Sequence, residues 1–290
     1  MNRVSCTICT PTYNRAYILD NLYQSLLKQT NKDFEWIIID DGSNDDTKLL
    51  VDKFLEEDKI NIFYFYKENG GKHRAVNLGI DHARGDYFAI VDSDDWLTSD
   101  AVDKICRGFQ EVNSNNSFCG VSFNKGYSES EIVGETFVGE YIDATSIERN
   151  KYNILGDKFE VFKTKILKDN KFPEIEGENF LSEIILWTRI AYQGYKIRWY
   201  NEIIYICDYL PDGLTRNNDE ILRKNYRGNA LRIREQVALA NIGLKAKLGY
   251  YSKYYQLRKG SEKFSTICKE ISANPMTVVV AVVIRKLLRR

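Results

Sequence analysis

The feature that most constrains this chain is an alternation of strand-like and helix-like segments in its first third. Val4–Cys9 is rich in β-formers, and Tyr17–Lys28 sets Ile18, Leu19, Leu22, Leu26 and Leu27 at helical spacing. Phe34–Ile39 is a continuous apolar run, the pattern of a strand buried on both faces. Ser43 to Asp46 supplies helix-capping side chains ahead of Leu49, Leu50, Phe54 and Leu55. Ile60–Tyr66 reads as a strand, Ala75–Ala83 as a helix and Tyr87–Val91 as a fourth strand. This order predicts an α/β fold with a doubly wound, mostly parallel sheet. Ligands of such sheets bind outside the carboxyl ends of the strands, so the loops that follow strands are where chemistry is expected.

Beyond that third the pattern loosens. Phe118–Asn124 and Thr136–Ile142 read as strands, Phe180–Tyr192 as an amphipathic helix, and Ile197–Tyr200 and Ile203–Cys207 as two further strands. After Pro211-Asp212-Gly213 the segments become long, basic and helical. A length of 290 residues suits one large domain or two.

Three loops after strands are polar: Thr10-Pro11-Thr12-Tyr13-Asn14-Arg15, Asp40 to Thr47, and Asp92-Ser93-Asp94-Asp95-Trp96. Between them lies Asn69-Gly70-Gly71-Lys72-His73-Arg74. It matches neither the GxxxxGK[ST] phosphate loop nor GxGxxG, which removes the main support for nucleoside-triphosphate and dinucleotide binding. Read as an EF-hand loop starting at Asp40 or Asp41, the Asp40–Asp46 stretch has neither the required glycine at position six nor the glutamate at position twelve. Asp92, Asp94 and Asp95 crowd three repelling carboxylates into four residues after an apolar strand, an arrangement a divalent cation among them would relieve. Oxygen ligands select Mg²⁺ or Mn²⁺ over zinc.

Together these motifs resemble the family 2 glycosyltransferases, inverting enzymes of the GT-A fold found in bacterial polysaccharide and lipid-linked oligosaccharide synthesis. The matching stretches are Thr12-Tyr13-Asn14-Arg15, Asp40-Asp41-Gly42-Ser43, Gly70-Gly71-Lys72 through Asn77-Leu78-Gly79, Gly85-Asp86-Tyr87 and Asp92-Ser93-Asp94-Asp95. The resemblance is close over about residues 4–108 and looser to about 215. It implies a GT-A catalytic domain over 1–215, with a nucleotide-sugar half to about 110 and an acceptor half from 111, followed by a basic helical region over 216–290. By the same resemblance Pro11, Thr12 and Tyr13 line the base and ribose of a nucleotide-sugar, and Arg15 belongs to the same nucleotide-binding loop. Asp41 bonds the nucleobase, typically uracil, and Lys72 helps hold the nucleotide. Asp92 lies near the ribose and metal, and Asp94 ligates Mn²⁺ or Mg²⁺ at the diphosphate. Aligning Trp187 and Arg189 with the family's helix makes Glu183 the general base; Ser182 then stands where a second acid is usual, and Glu178 is the alternative. Tyr209–Arg216 follows the last strand where related enzymes carry a closing loop, and Arg216 is a candidate diphosphate contact.

Two other function classes are compatible with parts of the pattern. Asp92-x-Asp94 mimics an aspartyl-phosphate phosphatase, but there the motif belongs on the first strand, with Thr or Val at Trp96. A non-catalytic, membrane-associated scaffold with a nucleotide-sugar pocket is the other.

Composition narrows partners and location. Two histidines argue against zinc sites and a histidine-based triad, and six cysteines are too few for a disulfide scaffold, so Cys6 and Cys9 read as buried thiols in a reducing cytosol. The net charge of zero hides a division: from Arg223 onward there are 16 Lys and Arg against three Glu, net +13, and the rest is correspondingly acidic. Met276–Ile284 is an apolar run followed by Arg285, Lys286, Arg289 and Arg290. The run is far short of the ~20 residues a membrane-spanning helix needs. It either packs on the protein or lies in the interface of an anionic membrane. The latter makes the chain a cytoplasmic protein peripheral to the inner face of the cell membrane. Its expected partners are a nucleotide-sugar donor, a glycan or lipid-linked acceptor and that membrane surface, with no nucleic acid.

Overall fold

The computed structural model describes residues 4–208, 218–240 and 242–288. Contacts divide the chain into two units, Met1–Lys171 with Gln193–Leu210, and Phe172–Tyr192 with Pro211–Arg290.

The first unit begins as the alternation predicts: β1 (Cys6–Thr12), α1 (Leu19–Leu27), β2 (Phe34–Asp40), α2 (Thr47–Glu57), β3 (Ile62–Tyr66), α3 (Lys72–His82) and β4 (Tyr87–Ile90). It continues through β5 (Trp96–Leu97), α4 (Ala101–Val112), β6 (Phe118–Gly126), β7 (Tyr141–Ala144), a 3₁₀ turn at Ser146–Tyr152, β8 (Lys158–Lys163), α5 (Thr164–Asp169) and β9 (Lys196–Ile206). The sheet order is β3-β2-β1-β4-β8-β6-β9-β5, with β7 also on β9. The pairs β1–β2, β1–β4 and β2–β3 are parallel. From β1 the chain winds outward to β3, then returns to lay β4 on the other side of β1. That reversal opens a crevice at the carboxyl ends of β1 and β4. β8 enters antiparallel to both β4 and β6, so β6 runs in the direction of β4, and β9 is parallel to β6. The carboxyl ends of β1, β2, β4, β6 and β9 therefore share one edge.

Three details depart from the sequence reading. The two strands expected at 197–207 are one strand; its pairing with β6 jumps from Ser122↔Trp199 to Asn124↔Ile203, so a bulge absorbs the polar Asn201-Glu202. The strand expected at Thr136–Ile142 is cut to Tyr141–Ala144, because the Asn201 amide binds the carbonyls of Phe137 (3.0 Å) and Gly139 (3.1 Å) in place of a ladder. The helix expected from Phe180 starts at Ile184.

β1 and β2 are buried along their whole length, which explains their unbroken apolar character. One sheet face packs Ile8, Trp36 and Ile38 against Leu22, Tyr23, Leu26, Phe54, Ile105 and Phe109 of α1, α2 and α4. On the other face α3 lies so close that a Cβ at Gly79 would stand 2.3 Å from Cys9 Sγ. Large aromatics, including Trp36, Trp199, Tyr23, Tyr205 and Phe123, are fully buried and form core packing. All six cysteines are free, with Cys6 and Cys9 fully buried.

The second unit is helical: α6 (Ile184–Tyr192), α7 (Asn218–Lys224), α8 (Tyr226–Leu239), α9 (Leu244–Arg258), α10 (Phe264–Glu270) and α11 (Pro275–Leu287). Its core joins Ala230, Ile233, Tyr251, Tyr254, Ile267, Val278 and Ala281. The Asn274 side chain caps α11 by accepting from the Met276 N–H at 2.9 Å. Among the described residues no single helix is long and apolar enough to cross a membrane; α10 and α11 meet that test only as a pair, bent by 100°.

A buried ion pair anchors the opposite edge of the sheet. Glu35, on β2 and fully buried, accepts from Thr7 Oγ1 (2.6 Å), the Arg84 N–H (2.8 Å) and Arg84 Nε (2.6 Å). It fixes the turn that feeds β4 beside β1. Glu35→Ala leaves these donors without their acceptor and is expected to lower stability by about 2–3 kcal/mol in urea unfolding.

Candidate active site

The loops after β1 and β2 are sewn together. Thr12 and Asp40, the last residues of their strands, are paired in register. Asn14 turns the chain with a positive φ of 53°; its N–H donates to Ser43 Oγ at 2.8 Å, and its Oδ1 accepts from the Asn44 N–H at 2.9 Å. The Arg15 N–H donates to Thr47 Oγ1 at 3.2 Å, and the Ala16 N–H to Asp45 Oδ2 at 3.1 Å. Burial alone would raise the Asp45 pKa, but bonds from Thr47 and Ala16 hold it below the usual value.

Asp41 ties these loops to the glycine-rich one. Its buried carboxylate accepts from Lys67 Nζ, from the Gly70 N–H at 2.9 Å and from the Gly71 N–H at 2.7 Å; its carbonyl accepts from Asn69 Nδ2 at 2.8 Å. Three of about four carboxylate acceptor positions are thereby used within the protein. Gly42 makes the approach possible: its φ is +88°, and a Cβ there would lie 2.7 Å from the Asn69 nitrogen. Lys72 then opens α3, and its Nζ lies 2.6 Å from Asp92 Oδ1.

The acidic turn after β4 divides its three carboxylates among different tasks. Asp92 faces Lys72; burial opposes its ionisation, but Lys72 and Lys125 outweigh that and lower its pKa. Asp95 is buried, accepts from the Tyr205 hydroxyl at 2.5 Å and from the Asp208 N–H at 3.2 Å, and is pushed up to about 7 by burial and then by the Asp92 charge. Asp94 is half-buried and makes no hydrogen bond or ion pair to another described residue. Burial, then Asp92, raise its pKa against the attraction of Arg15 and Lys72. The expectation that one cation sits among all three is corrected: among the described residues no three carboxylate, His or Cys groups converge as a metal site. Asp92 and Asp95 are drawn off by Lys72 and Tyr205.

At the end of β1, Pro11 and Thr12 are buried and Tyr13 is exposed. Thr12 Oγ1 is a buried oxygen with no hydrogen-bond partner among the described residues, a group of the kind a ligand satisfies. Arg15 is half-buried, and its charge reaches Asp94. Pro11, Thr12, Tyr13, Arg15, Asp41, Lys72, Asp92 and Asp94 thus all belong to loops or strand ends of one sheet edge. Sequence reasoning missed Lys67, Lys125 and Tyr205. The last two lie on strands whose placement beside the acidic turn depends on β8 entering the sheet between β4 and β6.

Glu183 and Glu178 belong to the second unit. Glu183 immediately precedes α6, and its carbonyl accepts the Leu186 and Trp187 N–H groups. Glu178 is buried and caps α8: its Oε1 accepts from the Arg227 N–H and its Oε2 from the Gly228 N–H, each at 2.8 Å. α6 is tied to the other end of α8 by the Arg189–Glu235 pair, 2.6 Å, and by Gln236 Nε2 donating to Thr188 Oγ1. A cavity of about 350 Å³ in this unit is lined by Ile175, Tyr226, Arg227, Leu231 and Arg234, among others, none from the motif loops. Tyr209–Arg216 lies outside the described residues.

The profile of the glycosyl transferase family 2 matches residues 7–169, more than half of the chain. The chain belongs to that family. Curated relatives include a GalNAc(5)-diNAcBac-PP-undecaprenol beta-1,3-glucosyltransferase of Campylobacter jejuni, 30% identical over 63% of this chain. Another is the glycosyltransferase GlyA of Streptococcus pneumoniae, 26% identical over 66% of this chain. The aligned regions span 59% and 30% of those relatives' lengths. Among solved structures, S. aureus TarS 1–349 in complex with UDP-GlcNAc aligns with a TM-score of 0.63 at 18% identity, over 89% of this chain and 75% of that one. The mannosyltransferase PcManGT from Pyrobaculum calidifontis, in complex with GDP-Man and Mn²⁺, aligns with a TM-score of 0.58 at 18% identity, over 97% of this chain and 74% of that one. These likenesses establish the GT-A, Rossmann-like fold with a C-terminal helical extension.

Glu178→Gln keeps one acceptor where two backbone donors need one each, so it should lose about 1–2 kcal/mol in urea unfolding.

Proposed function

We propose that this protein is a metal-dependent inverting glycosyltransferase that moves a sugar from a nucleotide-sugar, of the UDP type, to a hydroxyl of a glycan or lipid-linked acceptor. The observation that carries the reading is Asp94, a carboxylate that no other described residue pairs, at the crevice where the sheet reverses, beside Lys72 and the Thr12 hydroxyl, which likewise has no hydrogen-bond partner among the described residues. The relatives' names support the substrate class, since one acts on a PP-undecaprenol-linked glycan and the two solved structures hold UDP-GlcNAc and GDP-Man with Mn²⁺.

The donor set suits a hard cation. Mg²⁺ is held through one or two carboxylates plus substrate phosphates rather than by an all-protein cage, which matches one available Asp94 and an Asp92 shared with Lys72. Bound there, Mn²⁺ or Mg²⁺ supplies Lewis-acid stabilisation of the charge on the departing diphosphate. The protein's own residues do the rest. Pro11, Thr12 and Tyr13 hold the base and ribose with Arg15 in the same loop, Asp41 fixes the glycine-rich loop and offers its remaining acceptor position to the base, and Lys72 meets the nucleotide. Glu183 takes the acceptor proton as the hydroxyl oxygen attacks the anomeric carbon and the bond to the diphosphate breaks with its electron pair. Glu178, with both oxygens engaged, is the weaker choice. In domain terms residues 1–110 hold the donor, 111–215 serve the acceptor, and 216–290 form the basic extension.

The same proposal places the protein at an anionic membrane. α11 buries Val278 and Ala281 while exposing Met276, Val279, Val280, Val283, Ile284 and Leu287, a continuous apolar stripe next to Arg285 and Lys286. The strongly basic charge after residue 222 complements anionic headgroups.

Two measurements test this. Release of nucleoside diphosphate from a panel of nucleotide-sugars should stop reversibly with EDTA and be abolished in Asp94→Asn. Glu183→Gln should keep donor binding and lower kcat by about 10²–10⁴-fold. Full turnover by Asp94→Asn, or phosphate release in place of nucleoside diphosphate, would overturn the assignment. In co-sedimentation, the protein should follow anionic but not neutral liposomes, less so at high salt. Val279→Ser/Val283→Ser/Leu287→Ser should remain in the supernatant; retention on vesicles would refute a role for α11.

A further inference from the structure

Lys125, near the carboxyl end of β6, is not explained by the protein around it. It pairs in register with Tyr205, and its ammonium lies 4.3 Å from the centroid of the Tyr205 ring. The ammonium makes no hydrogen bond and no ion pair with any described residue. A half-buried ammonium without a partner is costly. The cation–π contact returns only part of that cost, about 0.5–2 kcal/mol.

What surrounds the ammonium defines what it awaits. The Tyr205 hydroxyl donates to Asp95 at 2.5 Å and accepts from the Asp92 N–H at 3.1 Å, so the ring beneath Lys125 is held against the acidic turn. Asp92, Asp95 and Asp157 attract the ammonium, and Lys72 repels it. These charges raise its pKa against the effect of burial, so it stays protonated. Asp92 is occupied by Lys72 and Asp95 by Tyr205, so neither closes an ion pair with it. β6 runs in the direction of β4, which brings Lys125 to the edge that carries Thr12, Lys72 and Asp94. A cation at that edge that no described residue pairs is matched to an arriving anion of several charges.

We propose that Lys125 contacts the diphosphate of the nucleotide-sugar and of the departing nucleoside diphosphate, as a second protein cation beside Lys72. The inference rests on the nucleotide-sugar reading above and adds a residue outside every recognised motif. Tyr205 is the positioning residue that holds the ammonium at the acidic turn.

Equilibrium titration of the full chain with uridine, UMP, UDP and GDP, each with Mn²⁺, and with Mn²⁺ alone, tests it without turnover. Lys125→Met should weaken UDP at least tenfold, about 1.4 kcal/mol, leave uridine unchanged and not weaken Mn²⁺ alone. Lys125→Arg should restore most of the UDP affinity. If Lys125 were only a counter-ion for the acidic turn, the UDP-to-uridine ratio would be unchanged in Lys125→Met, which overturns the proposal. Should Lys125→Met fail the circular-dichroism check of folding, the same ratio is read in Lys125→Gln. A wild type that binds UDP, with an unchanged ratio in the variant, removes Lys125 alone. A wild type that binds neither UDP nor GDP removes the nucleotide-sugar reading with it.

Discussion

The Asp41 carboxylate is the interaction on which the motif loops of this protein depend. It converts the flexibility of Gly70-Gly71 into a fixed start for α3, because two backbone N–H groups and the Lys67 ammonium converge on it. Lys72 owes its place opposite Asp92 to that start. A buried carboxylate with charge-assisted partners is stable only while they remain. The three loops and α3 therefore form one assembly, and Gly42 is the residue small enough to let them meet.

The acidic turn follows a different logic. Three carboxylates this close cannot all ionise freely, and the fold distributes the strain by giving Asp92 a lysine and Asp95 a tyrosine hydroxyl and a backbone N–H. Asp94 is left as the acceptor that no other described residue satisfies. Preorganisation of this kind needs no rearrangement when charge develops on a leaving group. In the second unit the same economy appears at α8, where Glu178 caps one end and Arg189 and Thr188 of α6 hold the other.

The strand–helix order of the first unit and its motif loops were legible because their signals are local. Strand ends, glycines and acidic clusters appear within a few residues of one another, and the order of elements fixes where strands β1 to β4 place them. Glu183 and Glu178 were less legible, since the two acids stand only five positions apart and the sequence offers both as the base. Their difference lies in the Arg227 and Gly228 N–H groups, some fifty residues away. Thr136–Gly139 failed as a strand for a related reason: the deciding partner, Asn201, is distant in sequence.

By itself the sequence determined the α/β class, the carboxyl-edge loops, the buried thiols and the division of charge, since each follows from periodicity or composition within short windows. Only the tertiary structure decided that β8 runs antiparallel between β4 and β6, and with it that Lys125 and Tyr205 stand at the acidic turn. The physical reason is that pairing between strands distant in sequence is set by the summed packing of the sheet, which no single segment encodes.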